Sequence, residues 1–320
     1  MKWMGTTAQG DRIDLSNVVQ VQLRWDADAP ADEVQLRVAR QGYLPLLRTV
    51  QGQLPGGQTA FWGIVDEQEA VLGGGEWVDI VARSRAALLL DNEAEPQTYR
   101  SPCLEALFEQ HARPYGFTGI LGNKRQFAGE YVVSQGKSEW EALANFCRRY
   151  LGADLIARGK LLDASGSAAS EKPALRLGGA GDLCLQICYR QLPCQRISQV
   201  LVHAKGQQGY TSAVEDDQAR RLGIVRRRLL NTGDDLLPAE QDAGRMLRQA
   251  KQSAVELELV YPGALLDWQL KSRVILDRSF QRLGWGIPTD KEWLLWGVQY
   301  RLDGGTGGEE RTRLLLRLAG

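Results

Sequence analysis

The sequence predicts an α+β protein that is mainly β, with a small β-domain at each end of the chain and an α/β segment between them. Apolar and polar residues alternate near both termini, helical spacing is confined to the middle and to one later stretch, and the two ends share a hairpin plan. We place the divisions at residues 1–84, 85–195 and 196–320, and we expect two helices in the middle segment. The last division carries an inserted helix near 238–252.

The N-terminal β-domain is predicted from two stretches of alternating residues. Val19, Val21 and Leu23 alternate with polar residues, and the stretch EVQLRVA at 33–39 repeats the pattern. A period of two is that of a strand with one buried face. Residues 1–17 show no strand pattern, so the start of this domain stays unplaced.

A similar hairpin plan occurs at both ends of the chain. Phe61-Trp62-Gly63-Ile64 corresponds to Leu295-Trp296-Gly297-Val298, and a glycine-rich turn with a returning strand follows in each case. Short similarity of this kind can also arise by chance, because glycine in strands and turns has ordinary structural causes. In the C-terminal hairpin, Trp296 shares the strand period of Leu294, Val298 and Tyr300, which predicts that it is a buried residue of the last β-domain.

The glycine-rich stretch DGGTGGEE at 303–310 could in principle cradle a phosphate. Such a loop opens a helix and is usually followed by a lysine and a hydroxyl residue. Here Glu309 and Glu310 follow, and they repel phosphate. We therefore interpret the glycines as the bend of a hairpin.

Three helices are predicted from capping residues and apolar stripes. The first opens at Ser101-Pro102, the second at Ser138 with Glu141 completing a capping box, and the third at Pro238. The apolar faces of the first two contain the following residues: Leu104, Leu107, Phe108 and His111, then Trp140, Leu143, Ala144, Cys147 and Tyr150.

The overall charge excludes several function classes. The 39 basic and 39 acidic side chains give a formal net charge of zero, so no global field favours a nucleic acid or an anionic membrane. The first residues lack the apolar core of a signal peptide, and no stretch approaches ~18 uninterrupted apolar residues. We expect a protein made and folded in a cytosol, with no stable membrane anchor and no recognition of nucleic-acid sequence.

No residue pattern indicates catalysis, a cofactor or a metal. The five cysteines form an odd set without paired CxxC spacing, which favours free thiols. His111 and Cys147 each belong to an apolar helical stripe, which favours core packing over a nucleophilic pair. In the acidic pairs Asp216-Asp217 and Glu309-Glu310, adjacent strand residues would point to opposite faces and could not flank a glycosidic bond.

One dense basic stretch, RRLGIVRRR at 220–228, has two interpretations. It is either a solvated edge strand, since basic residues commonly protect exposed edges, or a basic patch in a channel or at an interface. Periodicity alone does not separate these. The residues available for such a contact are Arg220, Arg221, Arg226, Arg227 and Arg228.

The order of these elements resembles the baseplate hub (tail) proteins of contractile-tailed phages and of related prophage particles of Gram-positive bacteria. The resemblance spans roughly residues 18–320 and depends on the order of elements rather than on one diagnostic motif. The stretches that carry it are WGIVDEQE, PYGF, VSQGKSEWEALANFC, RISQVLVHAKG, LGIVRRRLL, PAEQDAGRML, VELELVYPG and EWLLWGVQYRLD.

This resemblance implies a homotrimer with two tube-like β-barrels per subunit, similar to the hub of a phage tail and to the base of the type VI secretion spike. Three subunits would then present six similar barrels and adapt a six-fold tail tube to a three-fold central spike. The implied partners are the tail tube protein, a central spike or tip protein and other baseplate proteins. The implied location is the virion tail baseplate, assembled in the host bacterial cytoplasm.

Two alternatives come from other function classes. One is a tail-associated hydrolase of the cell wall, for which the acidic pairs are poorly arranged. The other is a carbohydrate-binding receptor module, suggested by nine tryptophans. Most of these tryptophans occupy alternating or helical apolar positions, which favours core packing.

Overall fold

The fold was obtained as a computed structural model of the chain. The residues that the structure describes are 1–39, 42–73, 75–166, 174–204, 208–210, 212–232, 239–283, 286–304 and 308–319. The predicted fold class is confirmed: the protein is mainly β, with a β unit at each end of the chain and an α/β segment between them.

The first β unit contains seven strands. Alternation of buried and exposed residues is clearest in the fourth strand, as its sequence predicts. Residues 1–17, which the sequence left unplaced, contain two strands whose inward positions include Trp3 and Gly5. Small and hydroxyl residues there hide the period of two. The strands are β1 (Lys2–Thr7), β2 (Arg12–Asp14), β3 (Val18–Asp26), β4 (Glu33–Ala39), β5 (Leu47–Gln53), β6 (Thr59–Val71) and β7 (Trp77–Ser84).

A single apolar core lies inside the first β unit. It collects inward side chains from six of these strands, which requires the sheet to curve around them as in a small barrel. Tyr300, from a strand near the C-terminus, closes one side of this core. The other fully or nearly buried members are Trp3, Leu15, Val21, Leu23, Val34, Leu36, Val38, Leu47, Val50, Phe61, Val78, Ile80 and Ala82.

The α/β segment follows, with three α-helices where the sequence predicts two; the additional one, Ala87–Asp91, has only five residues and no side-chain cap. Its second helix begins two residues later than predicted: Cys103 is the N-cap, and Ser101 has a left-handed backbone with φ of 51°. The capping box of Ser138 and Glu141 is confirmed, and a π-helical turn over Cys147–Leu151 continues that helix. The elements are α1 (Ala87–Asp91), β8 (Gln97–Arg100), α2 (Leu104–His111), β9 (Gly119–Leu121), β10 (Glu130–Val133), α3 (Glu139–Phe146), β11 (Ile156–Arg158) and β12 (Leu161–Asp163).

The next strands show that the division placed at residue 195 does not follow the hydrogen bonding. β14 pairs along its whole length with a strand of the second β unit, whereas the residues from β15 to α5 form a separate small unit. Alternation along one strand cannot reveal which sheet that strand joins. These elements are β13 (Leu175–Leu177), β14 (Gln186–Gln191), β15 (Gln199–Ala204), β16 (Ser212–Glu215), α4 (Asp217–Arg221), β17 (Arg227–Thr232) and α5 (Ala239–Ser253).

In the small unit, α5 covers a three-stranded sheet in the order β16-β15-β17. Val200 and Val202 of β15 pack against Ala243 and Leu247 of α5. The helical spacing of Ala239, Ala243, Met246, Leu247 and Ala250 predicts an apolar stripe on this helix, and Ala243, Leu247 and Ala250 are buried. Pro238, predicted as the first helical residue, lies outside the described residues.

The second β unit is completed by β18 (Val255–Pro262), β19 (Arg273–Leu276), β20 (Trp293–Asp303) and β21 (Glu309–Leu318). Its core contains Leu257, Val274, Trp293 and Leu316 among others, and the strands curve around these residues. β20 and β21 are antiparallel, with Asp303 opposite Glu309, so the glycine-rich stretch connects a hairpin as predicted. Residues 305–307 of that turn lie outside the described residues.

A β-bulge in β20 changes which residues face the core. The register with β21 shifts between Leu295 and Gly297. Before the bulge Trp293 and Leu295 face the core, and after it Val298 does. Trp296 is buried as predicted, at 7% exposure, but the prediction that it belongs to the core of the last β unit is wrong. Strict alternation along β20, without the bulge, would place Trp296 on the core face of the strand.

One long sheet joins the two β units. Its strand order is β14-β18-β21-β20-β3-β4-β7-β6-β5-β1-β2, and the units meet where β20 pairs with β3 from Gly297–Asp26 to Asp303–Gln20. Because this contact is a continuous antiparallel ladder, the two cores lie side by side within one connected sheet.

The strand order contains an internal repeat. The first unit runs β6-β7-β4-β3 and the second runs β20-β21-β18-β14, so each of these four strands has an equivalent in the other unit. Gly63 lies on β6 and Gly297 lies on β20, so the similarity of the two hairpins in sequence coincides with equivalent strands in the fold.

Candidate assembly surfaces

His111, a residue type that could serve in catalysis, has structural hydrogen-bond partners instead. Nδ1 of His111 lies 2.5 Å from Oε2 of Glu139, and its Nε2 lies 2.7 Å from the Tyr99 hydroxyl. A carboxylate accepts, so Nδ1 donates to Glu139 and Nε2 accepts from Tyr99. Glu139 also accepts a hydrogen bond from the hydroxyl of Tyr115 at 3.0 Å. Burial, and then the nearby Glu139, raise the pKa of Tyr99 to about 12. The buried imidazole thus holds α2, β8 and α3 together.

We expect Glu139→Ala to destabilise the protein by roughly 2–4 kcal/mol, because His111 and Tyr115 each lose an acceptor and a buried unsatisfied group costs about 1–3 kcal/mol. Glu105→Ala is the matched control, since Glu105 forms only an exposed pair with Lys124 and such pairs contribute about 0–1 kcal/mol. Urea denaturation of both variants measures the difference. Equal stability of the two variants would contradict a structural role for the His111 network.

The five cysteine thiols are free. Cys147 is fully buried, and burial raises the pKa of its thiol to about 12, which keeps it from forming a reactive thiolate. Cys194 is exposed. We expect a thiol reagent to modify Cys194 within minutes in the native protein and Cys147 only after unfolding. Peptide mass mapping after brief native labelling checks the order, and labelling of Cys147 first would contradict it.

The acidic pairs serve local structure. The Asp216 carboxylate caps α4 by accepting from the backbone N–H groups of Gln218 and Ala219. Glu310 accepts a hydrogen bond of 2.6 Å from the Tyr300 hydroxyl, and Glu309 pairs with Arg311. Among the described residues, no group of three or more His, Cys, Asp or Glu is arranged to hold a metal ion.

A helix that spans a lipid bilayer must be both long and strongly apolar. Within the described ranges, no helix combines the necessary length with sufficient apolar character.

The basic stretch is divided between three places in the small unit. Arg220 and Arg221 end α4, Arg226 lies in the following loop, and Arg227 and Arg228 begin β17. The interpretation as one edge strand is therefore wrong for the first two residues, because the Asp216 cap starts a helix there. It is right for Arg227 and Arg228, since among the described residues β17 pairs with β15 alone and lies at the edge of the small sheet.

The arginines surround exposed apolar side chains. Leu222, Val225 and Leu229 are 63%, 94% and 57% exposed. Arg220 pairs with Glu215, and Arg226 donates to the carbonyl oxygen of Pro193 at 2.9 Å. An open strand edge beside large exposed apolar residues is typical of a surface that contacts another protein.

The long sheet has a polar face opposite its two cores. Cross-strand ion pairs run over this face, including a two-bond pair between Arg37 and Asp79 at 2.8 and 2.9 Å. Farther along, Arg190 and Arg313 each lie 3.5 Å from a carboxylate oxygen of Glu258. The arginines of the basic stretch belong to the small unit and not to this face.

Several strand edges of the long sheet have no strand partner within the described residues, among them those of β2 and β13, and two others bear on the internal repeat. β14 pairs only with β18 there, so its other edge is open. β6 pairs with β5 only over residues 59–64; beyond these no described strand pairs with it on that side, although the Gln68 side chain bonds to the backbone of Pro45 and Leu47. Under the internal repeat, β14 corresponds to β3, and the second half of β6 corresponds to the part of β20 that follows Gly297. β3 and that part of β20 pair with each other inside the subunit.

Comparisons with known proteins bear on the fold. No protein-family model matches the chain, and no curated protein sequence matches it. Solved structures do match. A tail protein from Neisseria meningitidis MC58 superposes with a TM-score of 0.79 at 18% identity, covering 100% of this chain and 97% of that one. The 43 kDa tail protein of prophage MuSo2 from Shewanella oneidensis gives 0.75 at 14% identity, covering 99% and 98%.

A third match comes from a secretion system. It is an Escherichia coli component of the type VI secretion system that is itself similar to the T4 bacteriophage tail proteins gp27 and gp5. Its TM-score is 0.58 at 9% identity, covering 95% of this chain and 74% of that one. The chain therefore has the fold of phage tail proteins, which confirms the resemblance drawn from its sequence.

Proposed function

We propose that the protein is a structural hub subunit of a contractile phage tail or tail-like particle. In this proposal three copies form a ring that adapts a six-fold tail tube to a three-fold central spike. The observation that supports it most strongly is the internal repeat, because a subunit with two equivalent β units gives six equivalent units in a trimer. The similarity of the fold to tail proteins over nearly their whole length supports the same reading.

The repeat also indicates how the ring would close. Inside one subunit, β3 of the first unit pairs with β20 of the second. The equivalents of these strands are β14 and β6, and both have open edges. We propose that β14 of one copy pairs with the open half of β6 in the next. One geometry would then be used at all six junctions, and closing the ring would cover the edges of β14 and β6.

The charges on the two edges are opposite in sign. The open half of β6 carries the exposed Glu67 and Glu69, whereas β14 carries Arg190, which also lies 3.5 Å from Glu258 of its own subunit. The polar face of the long sheet would line the central channel, and its balanced ion pairs would give that channel no strong field of either sign. The small unit and the α/β segment would lie outside the ring. We propose Arg220, Arg221, Arg226, Arg227 and Arg228 as contacts to an adjacent subunit or baseplate protein.

This role is not enzymatic. The partners we propose are the tail tube protein, a central spike or tip protein and further baseplate proteins, at the distal end of a virion tail.

A cell-wall hydrolase is the alternative function. Its acidic candidates act instead as a helix cap, in Asp216, and as a hydrogen-bond partner of Tyr300, in Glu310. Release of muropeptides from purified cell walls would favour that alternative.

Native mass spectrometry of gently dissociated particles tests the stoichiometry. We expect subcomplexes that contain three copies of this 35.5 kDa chain, with or without tube and spike proteins. The isolated protein can be monomeric at low concentration, because weak interfaces depend on mass action from neighbours. Subcomplexes from particles with two, four or six copies would contradict the proposal.

A further inference from the structure

A cavity of about 690 Å³ lies where the two β units meet the α/β segment. Its volume falls within the range of about 300–1,000 Å³ that is usual for small-molecule sites. The first β unit contributes Trp25, Asp32 and Trp62, the α/β segment contributes residues 156–160, and the loop before β19 contributes Trp268. The cavity is therefore built by all three parts of the fold.

The tryptophans divide into two groups. Four are buried, namely Trp3, Trp140, Trp293 and Trp296. Four are partly exposed, and three of these, Trp25, Trp62 and Trp268, line this one cavity. The ninth, Trp285, lies outside the described residues. Partly exposed indoles gathered around one cavity present flat apolar surfaces to a ligand.

Groups that can hydrogen-bond lie among these indoles. Gln51, Gln58 and Arg85 line the cavity, and the Arg85 guanidinium stacks 4.2 Å from the centre of the Trp62 ring while donating to the Tyr115 carbonyl. A guanidinium has further N–H groups beyond that one bond. The cavity thus combines apolar faces with planar donors and acceptors.

Asp32 is the acidic residue in the wall of the cavity, and its side chain is partly exposed. Its backbone N–H donates to the Ser84 hydroxyl at 2.9 Å, but its carboxylate accepts no hydrogen bond from any described residue. Protein surrounds the carboxylate while the cavity reaches it, and burial raises its pKa to about 7. A ligand hydroxyl would supply the missing donor.

The wall of the cavity carries charges of both signs. Arg85 and Lys160 lie on it together with Asp32, so both hydrogen-bond donors and acceptors face the ligand. Arg158, also in the wall, is already paired with Asp163 at 3.1 Å. A neutral molecule with many hydroxyl groups can donate to the carboxylate and accept from the guanidinium.

We propose that this cavity binds a short neutral oligosaccharide. The C–H faces of the sugar rings would pack on Trp62 and Trp268, and sugar hydroxyls would bond with Asp32, Gln58 and Arg85. This proposal does not rest on the ring or its partners, since every residue involved belongs to one subunit.

Tryptophan fluorescence and saturation-transfer NMR with chitotriose, maltotriose and cellotriose test the proposal on the whole protein. We expect at least one of these probes to bind with a submillimolar Kd. Trp62→Ala and Trp268→Ala are each expected to weaken that binding at least tenfold. Trp77→Ala is the matched control, because Trp77 is a partly exposed indole outside the cavity, and it should leave the Kd unchanged.

Three outcomes would overturn the proposal. One is the absence of binding by all three probes at roughly 10 mM. A Kd of that size corresponds to a binding free energy of only about 2.7 kcal/mol in magnitude. Another is binding that Trp62→Ala and Trp268→Ala leave unchanged. The third is tighter binding of a charged probe, acetate or butylammonium, than of any sugar. If the tryptophan variants do not fold, Gln58→Ala and Asp32→Asn take their place, with the same tenfold weakening expected.

Discussion

Replacing Trp293 by alanine is expected to destabilise the protein by about 3–5 kcal/mol, the usual loss for a fully buried tryptophan. Its side chain is 0% exposed and lies in the core of the second β unit. Its indole N–H also donates to the carbonyl oxygen of Pro288 at 2.9 Å. The substitution therefore leaves both a cavity and an acceptor without its donor. A loss of that size is a large part of the about 5–15 kcal/mol by which domains are stable.

Chemical denaturation followed by circular dichroism measures this effect. Trp77→Ala is the control, because Trp77 is only partly buried and stacks under the Arg37 guanidinium at 4.6 Å. We expect a clearly smaller loss for it. If both variants unfold at the same urea concentration, Trp293 is not the centre of a packed core and the description of the second β unit is wrong.

The second large effect concerns assembly, and Tyr189→Pro is the change that isolates it. The backbone N–H of Leu192 donates to the Ala254 carbonyl of the neighbouring strand region. In an antiparallel pair, successive backbone N–H groups point alternately toward and away from the partner strand. The N–H of Arg190 therefore points toward β18, and that of Tyr189 points toward the open edge. Proline at 189 removes an edge donor without removing a bond to β18. The subunit should fold and fail to form the ring.

The expected size follows from the number of junctions. Each of the three contacts between copies would lose one hydrogen bond, at about 1 kcal/mol each, so ring formation should weaken roughly a hundredfold. The Tyr189 ring also packs against the core of the second β unit, so the matched control is Tyr189→Ala, which loses the ring but keeps the N–H and should assemble normally. Complementation of a hub-deficient particle with each variant, scored by assembled tails, measures the effect. Normal assembly with Tyr189→Pro would contradict pairing through β14.

Much of this fold could be predicted from the sequence, because strand alternation and helix caps are local signals. The capping box at Ser138 and the hairpin around the C-terminal glycines follow from residues only a few positions apart. The order of these elements was also enough to indicate the tail-protein fold.

Features set by pairing between distant residues could not be predicted. The bulge that turns Trp296 away from the core depends on its register with β21, and the ring of Trp296 instead stacks against Lys271 and Arg317 at 5.1 and 4.8 Å. Likewise, β14 shows ordinary alternation, and only its pairing with β18 places it in the second β unit.

The candidate sites could likewise be predicted from the sequence only in part. The sequence identified the basic stretch as unusual, but the helix cap at Asp216 that divides it became visible only in the fold. The cavity lined by Trp62 and Trp268 was missed, since its residues come from three separate parts of the chain. Nine tryptophans in one chain were the available signal, and alternation suggested that most were core residues.

Cryo-electron microscopy of intact particles tests the central claim most directly. The account predicts three copies of this chain at the distal end of the tail tube, with six β units around a channel and β14 of each copy paired with β6 of the next. A copy number matching peripheral fibres, or absence of the chain from the particle, would contradict it.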